Sequence, residues 1–187
     1  MAQPMGMGQL ALGNVVFKRK FRWTFKVEDF CGGKNIPEHF VKLASRPNLS
    51  IEETEINFLN GKMWIPGKGS WETITVTYYD VSGTDGGDMG AVYSWIATVY
   101  NFLDSTKLTQ SSKRADYGGR GTLTLFDGCG TAMETWKLRH MWPQAVNFGE
   151  LDYSSSEECT VELTLRYSEV DYTNECGSQP VACCEGC

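Results

Sequence analysis

From Lys18 onward apolar residues recur at every second position, and this periodicity commits most of the chain to β-strands. Phe21, Trp23, Phe25 and Val27 alternate with Arg22, Thr24 and Lys26, which describes a strand with one buried face. Ile74, Val76 and Tyr78 alternate with Thr73, Thr75 and Thr77, and Leu123 and Leu125 with Thr122 and Thr124. Trp136, Leu138 and His140 alternate with Lys137 and Arg139; Val161, Leu163, Leu165 and Tyr167 alternate with Glu162, Thr164 and Arg166. Shorter strand candidates lie at residues 39–44, 51–59, 62–65 and 146–149. One segment changes period: Val92, Trp95, Ile96, Val99 and Leu103 fall at helical spacing, behind a loop at 83–90 whose Asp88 is placed to cap the helix. Seven to nine strands with Thr-rich outer faces and one helix predict a mainly β fold. The expected form is an antiparallel β-sandwich or partly rolled barrel with one flanking α-helix. No internal repeat is present. The organisation reads as an N-terminal arm (1–17), one β domain (18–172) and a tail (173–187) that lacks periodicity.

The 187 residues, 41% hydrophobic and 12% aromatic, suffice for one sizeable core. No apolar run approaches the roughly 20 residues of a membrane span. The first residues lack the basic start of a signal peptide, so the expectation is a protein kept in a soluble compartment. A net charge of −6 speaks against tight nucleic-acid binding, which needs clustered cations. The one dense basic cluster is Lys18-Arg19-Lys20, with Arg22 and Lys26 beyond it, and it is expected to be solvated or paired with an acidic surface.

No catalytic constellation emerges. The run 66–70 (PGKGS) lacks the spacing of a phosphate-binding loop and reads as a turn. The run 85–88 (DGGD) lacks the twelve-residue calcium pattern. His39 and His140 both fall in predicted strands without a second ligand at metal spacing, and His140 is expected to be a hydrogen-bonded core or interface residue. Glu52, Glu53 and Glu55 lie on a polar strand whose face is either solvated or contact-forming, and 117–121 (YGGRG) reads as a turn opening a strand. Neither cofactor nor metal is assigned, and the expectation is a protein that is not an enzyme.

The cysteines are the exception. Cys31, Cys129 and Cys159 are scattered through the body, while Cys176, Cys183, Cys184 and Cys187 crowd the tail. Seven is odd, so complete pairing must reach another chain. Four tail thiols also match a tetrahedral zinc site in number, although adjacent cysteines suit one poorly. Inter-chain disulfides, free thiols and metal binding stay open, with inter-chain disulfides favoured. A tail cysteine can come within the Cα separation of about 4.4–6.8 Å that such a bond requires.

Residues 20–80 and 117–172 carry a resemblance. Within them, ASRP at 44–47, WETITV at 71–76 and GTLTL at 121–125 are similar to the tail tube proteins of contractile-tailed bacteriophages. The two blocks cover over half of the chain, and their motifs are distributed rather than catalytic. The resemblance implies a β-sandwich with one flanking helix and hexameric rings whose strands join into a continuous β-barrel around a lumen. It further implies rings stacked into a tube inside a sheath, with baseplate and terminator proteins at its ends. DNA would pass through non-specifically, without a membrane partner, in a virion tail assembled in the host cytoplasm. Related tubes occur in pyocins, DNA-free contractile injection systems and type VI secretion; a DNA-free tube and a monomeric ligand-binding β-domain are the alternatives. Glu52, Glu53 and Glu55 are then expected in a subunit contact, and Lys18 and Lys20 opposite acidic residues of a neighbour. The cysteine-rich tail departs from the family pattern and is expected to lock the assembly.

Overall fold

In the computed structural model, residues 17–30, 33–82, 89–102, 104 and 113–174 are described. The strands are β1 (Trp23–Phe30), β2 (Lys34–Ile36), β3 (Val41–Ala44), β4 (Leu49–Phe58), β5 (Gly61–Trp71), β6 (Ile74–Tyr79), β7 (Gly119–Phe126), β8 (Ala132–Asn147), β9 (Thr160–Arg166) and β10 (Glu169–Asn174). A ten-residue helix, α1 (Gly90–Val99), and a single helical turn, α2 (Arg114–Tyr117), separate β6 from β7. The protein is mainly β and all strand pairs are antiparallel, as the alternation predicts.

One sheet carries eight strands in the order β2-β1-β7-β8-β9-β6-β3, with β10 also beside β8. The sixteen-residue β8 is its hinge. Its first part pairs with β7 and, on the other side, β10; its second part, from Trp142, pairs with β9. Two leaves result, β2-β1-β7-β8-β10 and β8-β9-β6-β3, and their inward residues form one core. The bend in β8 lies at His140, whose φ is 54°. Left-handed backbone breaks the alternation there. Leu138 and Met141 point inward, while Arg139 and His140 are both exposed. His140 is therefore a corner residue on the surface of the chain, which corrects the expectation of a core histidine.

The predicted faces pack as read except at Phe21, which precedes β1 and is 75% exposed instead of buried. Phe25, Val27, Ile74, Val76, Tyr78, Leu123, Leu125, Val161, Leu163, Leu165 and Tyr167 are all buried. On α1, Val92, Trp95 and Ile96 are buried, and the Trp95 ring lies 4.8 Å from that of Phe30. Trp95 Nε1 donates to the Tyr117 carbonyl at 2.7 Å, so the indole is buried with its polar atom satisfied. The packing at Gly121 is close: a Cβ there would meet the end of the Met141 side chain at 2.9 Å and Phe25 Cζ at 3.3 Å, so those side chains would have to shift.

Several boundaries differ from the sequence expectation. His39 lies in a 3-10 turn (Glu38–Phe40) with its ring 4.2 Å from Phe40, and the strand starts only at Val41. Residues 66–70 are not a turn but part of β5, where Pro66 is tolerated because β5 pairs on one side only. The candidate at 146–149 is the end of β8, and β10 runs to Asn174. Gly119 to Gly121 open β7 instead of forming a turn. The capping role assigned to Asp88, and Leu103 on the helical face, fall outside the described residues.

Candidate assembly interface

Three surfaces stand apart from this chain's own core. The first is the hairpin β4–β5. Its register pairs Glu53 with Pro66, Thr54 with Ile65, Glu55 with Trp64, Ile56 with Met63 and Phe58 with Gly61. Directly paired residues share a face. Ile56, Phe58, Met63 and Ile65 therefore line one face; Glu53, Glu55, Trp64 and Pro66 line the other. Every residue from Leu49 to Ser70 is exposed, Phe58 at 76% and Leu59, at the tip, at 91%. At roughly 3.3 Å per residue the hairpin extends on the order of 35 Å. An isolated two-stranded hairpin is marginal in water, and a contiguous apolar patch of this kind marks a contact site. Glu52, Glu53 and Glu55 all lie on β4. Glu55 is paired with Lys62 at 2.8 Å; Glu52 and Glu53 have no ion pair among the described residues.

The second surface is the outward face of the leaf β2-β1-β7-β8-β10. The register places Thr24, Thr124, Thr135 and Thr173 in one row across four strands, and Lys26, Thr122, Lys137 and Asp171 in the next. Glu28 pairs with Arg120 and Arg139 with Glu169. Four cations (Lys26, Arg120, Lys137 and Arg139) thus stand against three anions (Glu28, Glu169 and Asp171). Lys26 reaches Glu28 at 2.8 Å and Arg139 reaches Asp171 at 2.5 Å. The Glu28 hydrogen bond and its charge hold the Lys26 ammonium above its ordinary pKa. This face is wetted, nearly charge-balanced and free of large apolar groups.

The third surface is a cleft of about 590 Å³ where β1 and β7 approach β3. Trp23, Leu43, Ala44, Leu123 and Leu125 line it, and Lys18, Arg19, Lys20, Lys42 and Arg46 rim it. Two of these cations are engaged within the chain. Lys18 and Arg46 donate to the two carboxylate oxygens of Glu134, and Trp136 Nε1 donates at 3.3 Å. Glu134 is 2% exposed. Desolvation alone would raise its pKa, but the Lys18 and Trp136 hydrogen bonds, with the Arg46 and Lys18 charges, outweigh it and hold the carboxyl below its ordinary range. Glu134 gave no sequence signal beyond its place between Met133 and Trp136. It ties the segment before β1 and the β3–β4 connection to β8.

Of the sequence-derived cysteines, Cys129 and Cys159 are exposed on the surface. Cys31, Cys176, Cys183, Cys184 and Cys187 lie outside the described residues. Among the described residues no group of three or more His, Cys, Asp or Glu is placed to hold a metal, and no helix is long and apolar enough to cross a membrane.

No family model matches the sequence, and no curated protein matches it. Solved structures do match. A chain of the anti-feeding prophage baseplate superposes with a TM-score of 0.63 at 12% identity, covering 86% of this chain and 97% of that one. A chain of the anti-feeding prophage tube-terminating cap gives 0.62 at 17% identity, covering 86% and 93%. A chain of the sheath-tube complex of an extracellular contractile injection system, PVC, gives 0.61 at 19% identity, covering 91% and 99%. At these identities the likeness is one of fold. The fold is one shared with chains of these contractile injection assemblies, in line with the resemblance that the sequence stretches carry.

Proposed function

We propose that the chain is a structural, non-enzymatic subunit of the inner tube of a contractile tail, stacked as hexameric rings into a conduit for DNA. The observation that carries this reading is the hairpin β4–β5, which displays Ile56, Phe58, Met63 and Ile65 to solvent and needs a neighbour to cover them. Two further features support it. The leaf with the polar face ends in β2 and β10, which have unpaired outer edges among the described residues, and joining such edges around a ring removes an aggregation hazard. Four cations against three anions on that face give a nearly neutral bore, past which a polyanion slides without sticking. Sheath, baseplate and terminator proteins are the partners this role requires, and the finished tail of a virion is its place. The exposed Cys159 supports inter-chain disulfides as a lock on the assembled tube.

A second reading has its own support. The three solved structures above come from the anti-feeding prophage and an extracellular contractile injection system, which supports the tube of a DNA-free injection machine as the alternative role. Purified particles separate the two: DNA-filled capsids attached to the tail support the first, headless tails the second. Negative-stain microscopy of the purified chain tests what they share. Rings or stacked tubes are expected, and a monomer at every concentration overturns both. Non-reducing electrophoresis of particles tests the lock, and a purely monomeric band removes it.

A further inference from the structure

The cation-rimmed cleft and the acidic side of the hairpin are complementary in charge and in apolar content. In a chain of net charge −6, five of seventeen cations gather around this one cleft, and no carboxylate lines it. Among the described residues, Glu134 answers Lys18 and Arg46 from beneath, and Arg19, Lys20 and Lys42 form no ion pair. Trp23, Leu43 and Leu125 provide an apolar floor beneath that rim. The hairpin offers an acidic and aromatic group on one face, where Trp64 stands directly opposite Glu55. Glu55 pairs with Lys62 on the same face, and Glu53, two residues away, has no ion pair among the described residues.

We infer that the cleft of one subunit receives the Glu53–Glu55–Trp64 face of the hairpin from a second copy of this chain. Trp64 covers the apolar floor, and Glu53 meets Arg19, Lys20 and Lys42. A subunit's own hairpin does not fill its cleft, because every residue from Leu49 to Ser70 is exposed. Residues 1–16 are the other occupant within reach along the chain. They carry neither Asp nor Glu and so leave the rim charge unanswered. The opposite hairpin face, with Ile56, Phe58, Met63 and Ile65, stays available for a further neighbour, so one arm bridges two contacts.

This inference rests on the tube reading, and its test keeps the two apart. Assembly of wild type, Glu53→Lys, Lys42→Glu and the double reversal is compared by sedimentation and negative stain, with circular dichroism to confirm that each variant folds. Wild type forming no assembly defeats the tube reading itself. Wild type assembling while each single reversal weakens association by roughly tenfold, and the double reversal restores it, supports the docking. Single reversals that assemble like wild type overturn it. So does a double reversal no better than either parent. A photo-crosslinker placed at Trp64 in mixed 14N and 15N protein gives an independent readout. Inter-subunit links to Leu43 or Leu123 support the site, and links to residues 1–16 or to another surface overturn it.

Discussion

β7 and β4 are antiparallel strands of eight and ten residues, yet β7 buries Gly119, Gly121, Leu123 and Leu125 whereas β4 buries nothing. β7 sits between β1 and β8 with its apolar face on the core, while β4 pairs only with β5. Alternation in sequence therefore specifies a strand without specifying what covers it. The body completes its core within one chain; the hairpin leaves its apolar face exposed. The contrast makes opposite demands on the two regions: body substitutions should act on folding, hairpin substitutions on association.

The largest effect on folding is expected at Trp95, which is fully buried, packed on Phe30 and hydrogen-bonded to Tyr117. Trp95→Ala should destabilise the subunit by about 3–5 kcal/mol in urea unfolding. A loss below about 1 kcal/mol would show that α1 lies outside the cooperative body.

Glu134 comes next. Glu134→Ala leaves Lys18 and Arg46 without their shared acceptor and should be destabilising by about 2 kcal/mol, less than for a fully buried pair because both cations are partly exposed. The sign of its pH dependence follows from its depressed folded-state pKa. The contribution is complete above the ordinary value of 4.5 and is lost as pH falls below it. Acid unfolding of Glu134→Gln should begin from a lower plateau and slope less between pH 5 and 3 (a window of about one to two units around that value). An unchanged slope would place the acid sensitivity elsewhere.

These two sites also mark what sequence does and does not carry. Trp95 was legible because Val92, Trp95 and Ile96 share a helical face, and β1, β6, β7 and β9 were legible because one face of each is buried. Period two reports burial on one side, so it is silent where burial is different. β4–β5 is exposed on both faces, and its Pro66, Gly67 and Gly69 disguised the strand as a turn. β8 was divided because left-handed His140 shifts its phase, placing Arg139 and His140 outward in succession. β2, three residues long, is too short to show any period. Of the interface, the acidic run Glu52 to Glu55 and the basic run Lys18 to Lys20 were visible. The cleft was not, since Lys42 and Leu43 join Trp23 and Leu125 only through the folded topology.

A smaller effect is expected at Tyr78. Its hydroxyl is buried without a hydrogen-bond partner among the described residues, and burial pushes its pKa up. Tyr78→Phe removes that unsatisfied group without leaving a cavity, so folding should be unchanged or favoured by up to about 1 kcal/mol. Tyr167, pushed up to about 12 chiefly by burial, also lacks a partner for its hydroxyl. Raised folded-state values mean that both contribute fully below their ordinary value of 10.0 and lose that contribution as pH rises toward 12. Alkaline unfolding should therefore shift upward when Tyr78 and Tyr167 are both phenylalanine. A destabilised Tyr78→Phe would reveal an acceptor for its hydroxyl.

The smallest folding effect belongs to the hairpin, and it is the sharpest test of the contrast. Phe58 and Met63 lie on the apolar face of the arm, 76% and 58% exposed, and touch none of the core. Phe58→Ser with Met63→Ser should change the unfolding free energy of the isolated subunit by less than about 0.5 kcal/mol. The same pair should abolish rings and tubes in negative stain, because it removes the surface that only a neighbour can cover. If the double variant unfolds early, the hairpin belongs to the body and the division between the regions is wrong. If it folds and still assembles, the apolar face is not a contact. Only a folded, unassembled subunit fits a protein whose core is finished within one chain and whose arm is finished by the next.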